Sequence, residues 1–170
     1  DAVVLAGNTT LNSTGNLAIN LASTVNGAFT LAVNTTGATT FGNVVGGTTA
    51  LSSLTTDAGG STTLTGNVTT TGVQTYNDAV ILAANTTLNS TGNAAINLAS
   101  TVNGAFTLAV NTSGATTFNN VVGSTTALSS LTTDALGTTT LTGNVLTTGA
   151  QTYNDAVILA ANTTLNSTGN

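Results

Sequence analysis

The segment DAVVLAGNTTLNSTGN that starts at Asp1 returns as DAVILAANTTLNSTGN at Asp78 and again at Asp155, three starting points spaced 77 apart. Near-identity at a fixed period is the mark of a repeat architecture, in which one unit cannot bury its own apolar face and stacks on the next to make a continuous core. The chain therefore divides into a first copy at 1–77, a second at 78–154 and the start of a third at 155–170, read together as one continuous solenoid.

Inside each copy a shorter theme recurs, Thr-Thr followed by a large apolar residue. It falls at Leu11, Phe41 and Leu64, then Leu88, Phe118 and Leu141, and finally Leu165. The same three unequal intervals appear in both copies, and they predict three coils per repeat with these seven side chains in one interior stack. Thr and Val favour strands, and apolar and polar residues alternate in runs such as Phe29, Leu31 and Val33. Asn-Gly, Gly-Gly and Asp-Ala-Gly-Gly punctuate those runs as turns. The predicted fold is all-β, a right-handed parallel β-solenoid (β-helix), since parallel crossovers are almost always right-handed. A hairpin sandwich is the competitor, but it has no need of similar sequence at such short intervals.

Composition narrows the function. There is no Lys, Arg, His, Cys, Met, Trp or Pro, and five aspartates give a net charge of −5. Nucleic acid is excluded as a partner because nothing can neutralise phosphates, and an anionic membrane surface is excluded likewise. No apolar run is long enough for membrane insertion as a helix. With 40% apolar residues and a mean hydropathy of +0.33, the chain is too apolar for intrinsic disorder.

Chemistry-bearing groups are few, and the sequence nominates no catalytic, cofactor-binding or metal-binding residue. Ser and Thr hydroxyls have no His, Lys or Cys to activate them. Asp1, Asp78 and Asp155 hold equivalent places in successive copies, as do Asp57 and Asp134. At three coils apart, about 14 Å, equivalent aspartates are too distant for a glycosidase pair, although an Asp57-type residue can approach an Asp78-type one across adjacent coils. The aspartates are expected to cap turns and keep the surface soluble. Asp57-Ala58-Gly59-Gly60 becomes Asp134-Ala135-Leu136-Gly137 in the second copy, which argues against a calcium loop. The sequons at Asn8, Asn12 and Asn34 follow from an Asn/Thr/Ser-rich composition. Tyr76, Tyr153, Phe29, Phe41, Phe106 and Phe118 recur at the repeat period and are assigned to a stacked core. Thr9-Thr10, Thr39-Thr40 and Thr62-Thr63 suggest a flat hydroxyl-and-methyl face.

The stretch LTTDAGGSTTLTGNVTTTGVQTYNDAV, Leu54 to Val80, and within it and beyond the phrase TTGVQTYNDAVILAANTTL, resembles repeats of very large secreted bacterial surface proteins of the filamentous haemagglutinin and β-strand-repeat adhesin type. The resemblance implies a β-helix shaft, export to the bacterial cell surface, and a role in adhesion, biofilm matrix or fibre building. It carries over no functional residue. The expected function is thus a non-catalytic structural segment of a long secreted adhesin or extracellular filament, with no cofactor. Its expected partners are further copies of its own repeat, in the same chain or stacked end to end as a fibre, together with surface glycans. The alternative is an ice- or polysaccharide-binding module that uses a Thr/Asn-rich face.

Overall fold

The computed structural model describes residues 1–169, and these form a parallel β-solenoid with no helix among them. Every strand pairing is parallel, and the longest sheet runs through eight coils. Each coil has three sides. The first face begins at Val3–Val4, the second at Thr9–Asn12 and the third at Ile19–Leu21. Val45 bridges Val25 to Val68 and so joins the two sheets of the first face, while Val122 bridges Val102 to Val145 on the third.

The strands are only two to five residues long because each side is a few residues wide before a corner. Burial alternates along them, as in Thr30–Asn34, where Leu31 and Val33 point in and Thr30, Ala32 and Asn34 point out. A strand of that length sends two side chains inward, and coil upon coil these build columns such as Leu31 over Leu54 and Phe41 over Leu64. At about 25 cal/mol per Å², complete burial of one Leu contributes on the order of 2 kcal/mol. The core therefore rests on many equal increments rather than on one focus.

Corners are held by asparagine. The Thr30 amide donates to Asn8 Oδ1 at 3.1 Å, the Thr87 amide to Asn67 Oδ1 at 2.9 Å, and the Thr107 amide to Asn85 Oδ1 at 3.1 Å. Each bond reaches from one coil to the next, so a short amide satisfies a backbone donor that the sheet ladder leaves free where the chain turns. Where Gly46 interrupts the first face with φ +72, a Cβ would meet the Thr69 carbonyl oxygen at 2.0 Å, so glycine is required. The chain loops out over Thr48 and Thr49, whose amides both donate to Asn26 Oδ1, and it rejoins the face at Leu51. Gly123 and Asn103 repeat the device around Thr125 and Thr126.

The solenoid is as the sequence predicts, but its coils are shorter than the expected three per repeat would make them. On the second face Thr9 pairs with Leu31, Leu31 with Leu54, Leu54 with Gln74, and Thr139 with Val157. The chain advances by four strands from Leu11 to Phe41, and by four again from Leu64 to Leu88, where a single coil of three was expected. Corners as short as Asn77-Asp78 make this possible. The seven Thr-Thr-associated residues consequently divide among all three faces. Phe41 pairs with Leu64 on the third face, Phe118 pairs with Leu141 on the second, and Leu88 stacks between Val68 and Val110 on the first. Five of the seven are fully buried; Leu11 is half-buried, and Leu165 is 48% exposed in the last coil.

Candidate functional site

Among the described residues, Asp78 is the one carboxylate withdrawn into the interior. Strand Gln74–Tyr76 ends and strand Ala79–Leu82 begins with just Asn77 and Asp78 between them, so the corner is tight and Asp78 is 3% exposed. Its Oδ1 accepts from Thr56 Oγ1 and from Thr62 Oγ1, both at 2.9 Å, and Thr62 Oγ1 reaches Oδ2 at the same distance. Burial pushes the Asp78 pKa up, the two hydroxyls pull it partly back, and the negative charge of Asp57 pushes it up again. The chain has no cationic side chain to balance it. Asp155 repeats the arrangement with Thr133 and Thr139, in a half-buried setting.

The expectation that all the aspartates cap surface turns holds for Asp57 and Asp134, which accept the amides of Thr35 and Thr112 at 2.9 Å. Asp78 departs from it: its carboxylate turns inward and takes the hydroxyls of Thr56 and Thr62 as partners. Asp78 and Asp155 also lie on different sides of the solenoid rather than one above the other, since the strands that follow them belong to the third and second faces. Thr56 and Thr62 are both fully buried, so no substrate reaches these hydroxyls, and the cluster ties one coil to the next.

A second interior cluster is neutral. Gln74 Nε2 donates to the Val68 carbonyl, to Thr70 Oγ1 and to the Asn89 carbonyl at 3.3, 3.2 and 3.0 Å, and Tyr76 OH donates to Gln74 Oε1 at 3.0 Å. Gln151 and Tyr153 repeat every one of these bonds, with Val145, Thr147 and Asn166 as partners. Burial pushes the Tyr76 hydroxyl far above its ordinary range, and Tyr153 up to about 12. The motif Gln-Thr-Tyr is therefore an interior lock in which amide and phenol engage each other and the backbone. Sequence reasoning places the tyrosine in the core but misses the glutamine, whose burial has no signal in a polar residue's identity.

Of the other aromatics, Phe41 and Phe118 are in the core, whereas Phe106 is half-buried and Phe29 is 36% exposed. Both of these last two sit just after a glycine corner, where the strand has not yet begun. Each Thr-Thr pair brings only one of its two side chains to the outer face. Thr39 and Thr62 point inward and only Thr40 and Thr63 point out, as strand alternation requires. The Thr39 and Thr116 hydroxyl oxygens lack partners among the described residues.

The outer surface is uncharged over long stretches. Along the second face the outward ladder runs Thr10, Ala32, Thr55, Thr75, Asn97 and Thr117 before reaching Thr140 and Ile158. On the first face a shallow groove of about 500 Å³ is lined by Asn67, Asn85, Thr87, Thr107 and Thr132 together with Leu108 and Ala109. The sequon residue Asn34 donates to Asn12 Oδ1 at 2.9 Å, so these amides serve as cross-coil rungs. No family of proteins, no curated protein and no solved structure matches this chain.

Proposed function

We propose that the chain is a length of mechanical shaft in a secreted bacterial surface adhesin or extracellular filament, with no catalysis of its own. The observation that carries this reading is the repetition of the Gln74–Tyr76 lock, bond for bond, at Gln151–Tyr153. In each lock the glutamine amide also reaches the next coil, at the Asn89 and Asn166 carbonyls, and a chain that places one such tie in each copy is organised for axial continuity. The main-chain ladder runs along the same axis, so tension along the rod is carried by many parallel hydrogen bonds. The resemblance of Leu54 to Val80 to bacterial surface repeats supports export and an extracellular location. Further copies of the repeat are the partners, since each coil pairs through its main chain with the coils on either side of it. They belong to the same polypeptide or stack end to end as a fibre.

Electron microscopy of the native material tests the shaft directly. Rods of constant width, labelled on intact cells by an antibody to the repeat, are the expected result; compact particles confined inside the cell would overturn it. The uncharged hydroxyl-lined groove favours neutral polysaccharide over ice as the ligand in a second reading, a binding module. Binding to a glycan array at micromolar concentration, lost on Thr87→Arg and Thr132→Arg, would establish that role.

A further inference from the structure

Each copy contributes eleven strands to coils of three sides. In the first copy these are the ten strands from Val3–Val4 to Gln74–Tyr76 and the bridge at Val45; in the second they are the ten from Ala79–Leu82 to Gln151–Tyr153 and the bridge at Val122. Eleven is not a multiple of three. One copy therefore occupies three and two-thirds coils, and the next copy starts one face away from the last.

The pairings show this step on all three sides. Ile19, Thr39, Thr62 and Val80 are consecutive rungs of the third face, and their counterparts Ile96, Thr116, Thr139 and Val157 are consecutive rungs of the second. Thr9, Leu31, Leu54 and Gln74 on the second face recur as Thr86, Leu108, Leu131 and Gln151 on the first. Val25, Val45 and Val68 on the first face recur as Val102, Val122 and Val145 on the third. Each face thus reads the same series of strands, displaced by one copy.

We infer that successive repeats are related by a screw, a third of a turn with an advance of about 18 Å at a strand spacing of about 4.8 Å, so that an array displays each surface feature on all three sides. Three copies return to the starting face after eleven coils, about 53 Å. The loop over Thr48 and Thr49, one per copy, bulges from the sheet, and its twin at Thr125 and Thr126 leaves from a different face. A partner that recognises this loop meets it in three rows around the rod, whichever side it approaches. A binder of one flat surface needs the opposite, a repeat of whole coils that keeps like residues on one side. The display rests on the shaft reading for its arrays, while the screw itself is a property of the two copies in this chain.

Disulfide trapping in this chain decides the screw. The pairing sets Thr63 beside Ile81 on adjacent strands, whereas three coils per repeat would set Thr63 beside Thr87. The double variant Thr63→Cys with Ile81→Cys is expected to oxidise nearly completely, and Thr63→Cys with Thr87→Cys is expected to form less than about a tenth as much intramolecular disulfide. The twin Thr140→Cys with Ile158→Cys reports the same register one face away and stands in if the first pair fails to fold. Bridging of positions 63 and 87, with none between 63 and 81 or between 140 and 158, would overturn the screw. Failure of the shaft reading looks different: the cross-links form as expected, but native material under the microscope is not rod-like.

Discussion

Thr62 sits on the coil next to Asp78, and its hydroxyl reaches both carboxylate oxygens of Asp78 at 2.9 Å. This contact stands in for the ion pair that a buried carboxylate normally finds. A hydroxyl stabilises the anion less than a cation does, so burial still dominates and the Asp78 pKa is raised above 3.8.

Asp78 therefore makes stability depend on pH in the unusual direction for an aspartate. Its folded state holds a proton more tightly than the unfolded state, so the penalty is present above the raised folded pKa and disappears as pH falls through it towards 3.8. Thermal melts are expected to show a higher Tm in mildly acidic buffer than at neutral pH. Asp78→Asn should raise the Tm at neutral pH and flatten that dependence; a variant whose pH profile matches the parent would place the effect elsewhere.

Leu136 holds φ +83 and is 88% exposed, at the place where the first copy has Gly59 with φ +104. A leucine in that region costs roughly 1–3 kcal/mol, against a chain-entropy cost of about 0.5–1 kcal/mol for glycine. Leu136→Gly is expected to stabilise the protein by about 1 kcal/mol in denaturant titration. Gly59→Leu should destabilise it by a similar amount.

Leu88 and Leu165 are the same residue of the repeat, yet Leu88 is 0% exposed and Leu165 is 48% exposed. Leu88→Ala should cost about 2–5 kcal/mol, and Leu88→Asp more, since it adds an unpaired carboxylate to an apolar column. Leu165→Ala in the same chain should cost under about 1 kcal/mol. Equal losses at the two positions in urea melts would contradict the burial that distinguishes them.

Removing the Tyr76 hydroxyl leaves Gln74 Oε1 buried without that donor, so Tyr76→Phe should cost about 1–3 kcal/mol. Tyr153→Phe should cost less, because Tyr153 is only half-buried. In spectrophotometric titration neither phenol is expected to ionise at its ordinary value near 10 while the chain is folded; Tyr153 should follow at about 12. A full tyrosinate signal at the ordinary value from folded protein would show that the interior is wet.

Much of this molecule was legible without coordinates. The evenly spaced return of the Asp1 segment at Asp78 and Asp155 demands stacked units, and the alternation around Leu31 and Val33 marks strands with one apolar face. The long likeness between Asp1–Asn16 and Asp78–Asn93 leaves no place for an unrelated second domain within these copies. The sequence thus determined a β-solenoid and its lack of activating side chains. Tertiary structure alone decided how many coils a copy makes. Leu11, Phe41 and Leu88 look like one column because all three faces are lined by the same kinds of apolar residue, and a side chain's chemistry does not record which of three equivalent walls it lines. That choice is set by corner lengths, from the pair Asn77-Asp78 to the longer stretch between Asn12 and Ile19, through backbone geometry that composition leaves open. The same geometry turned Asp78 inward against Thr56 and Thr62, and set each copy a third of a turn from the last.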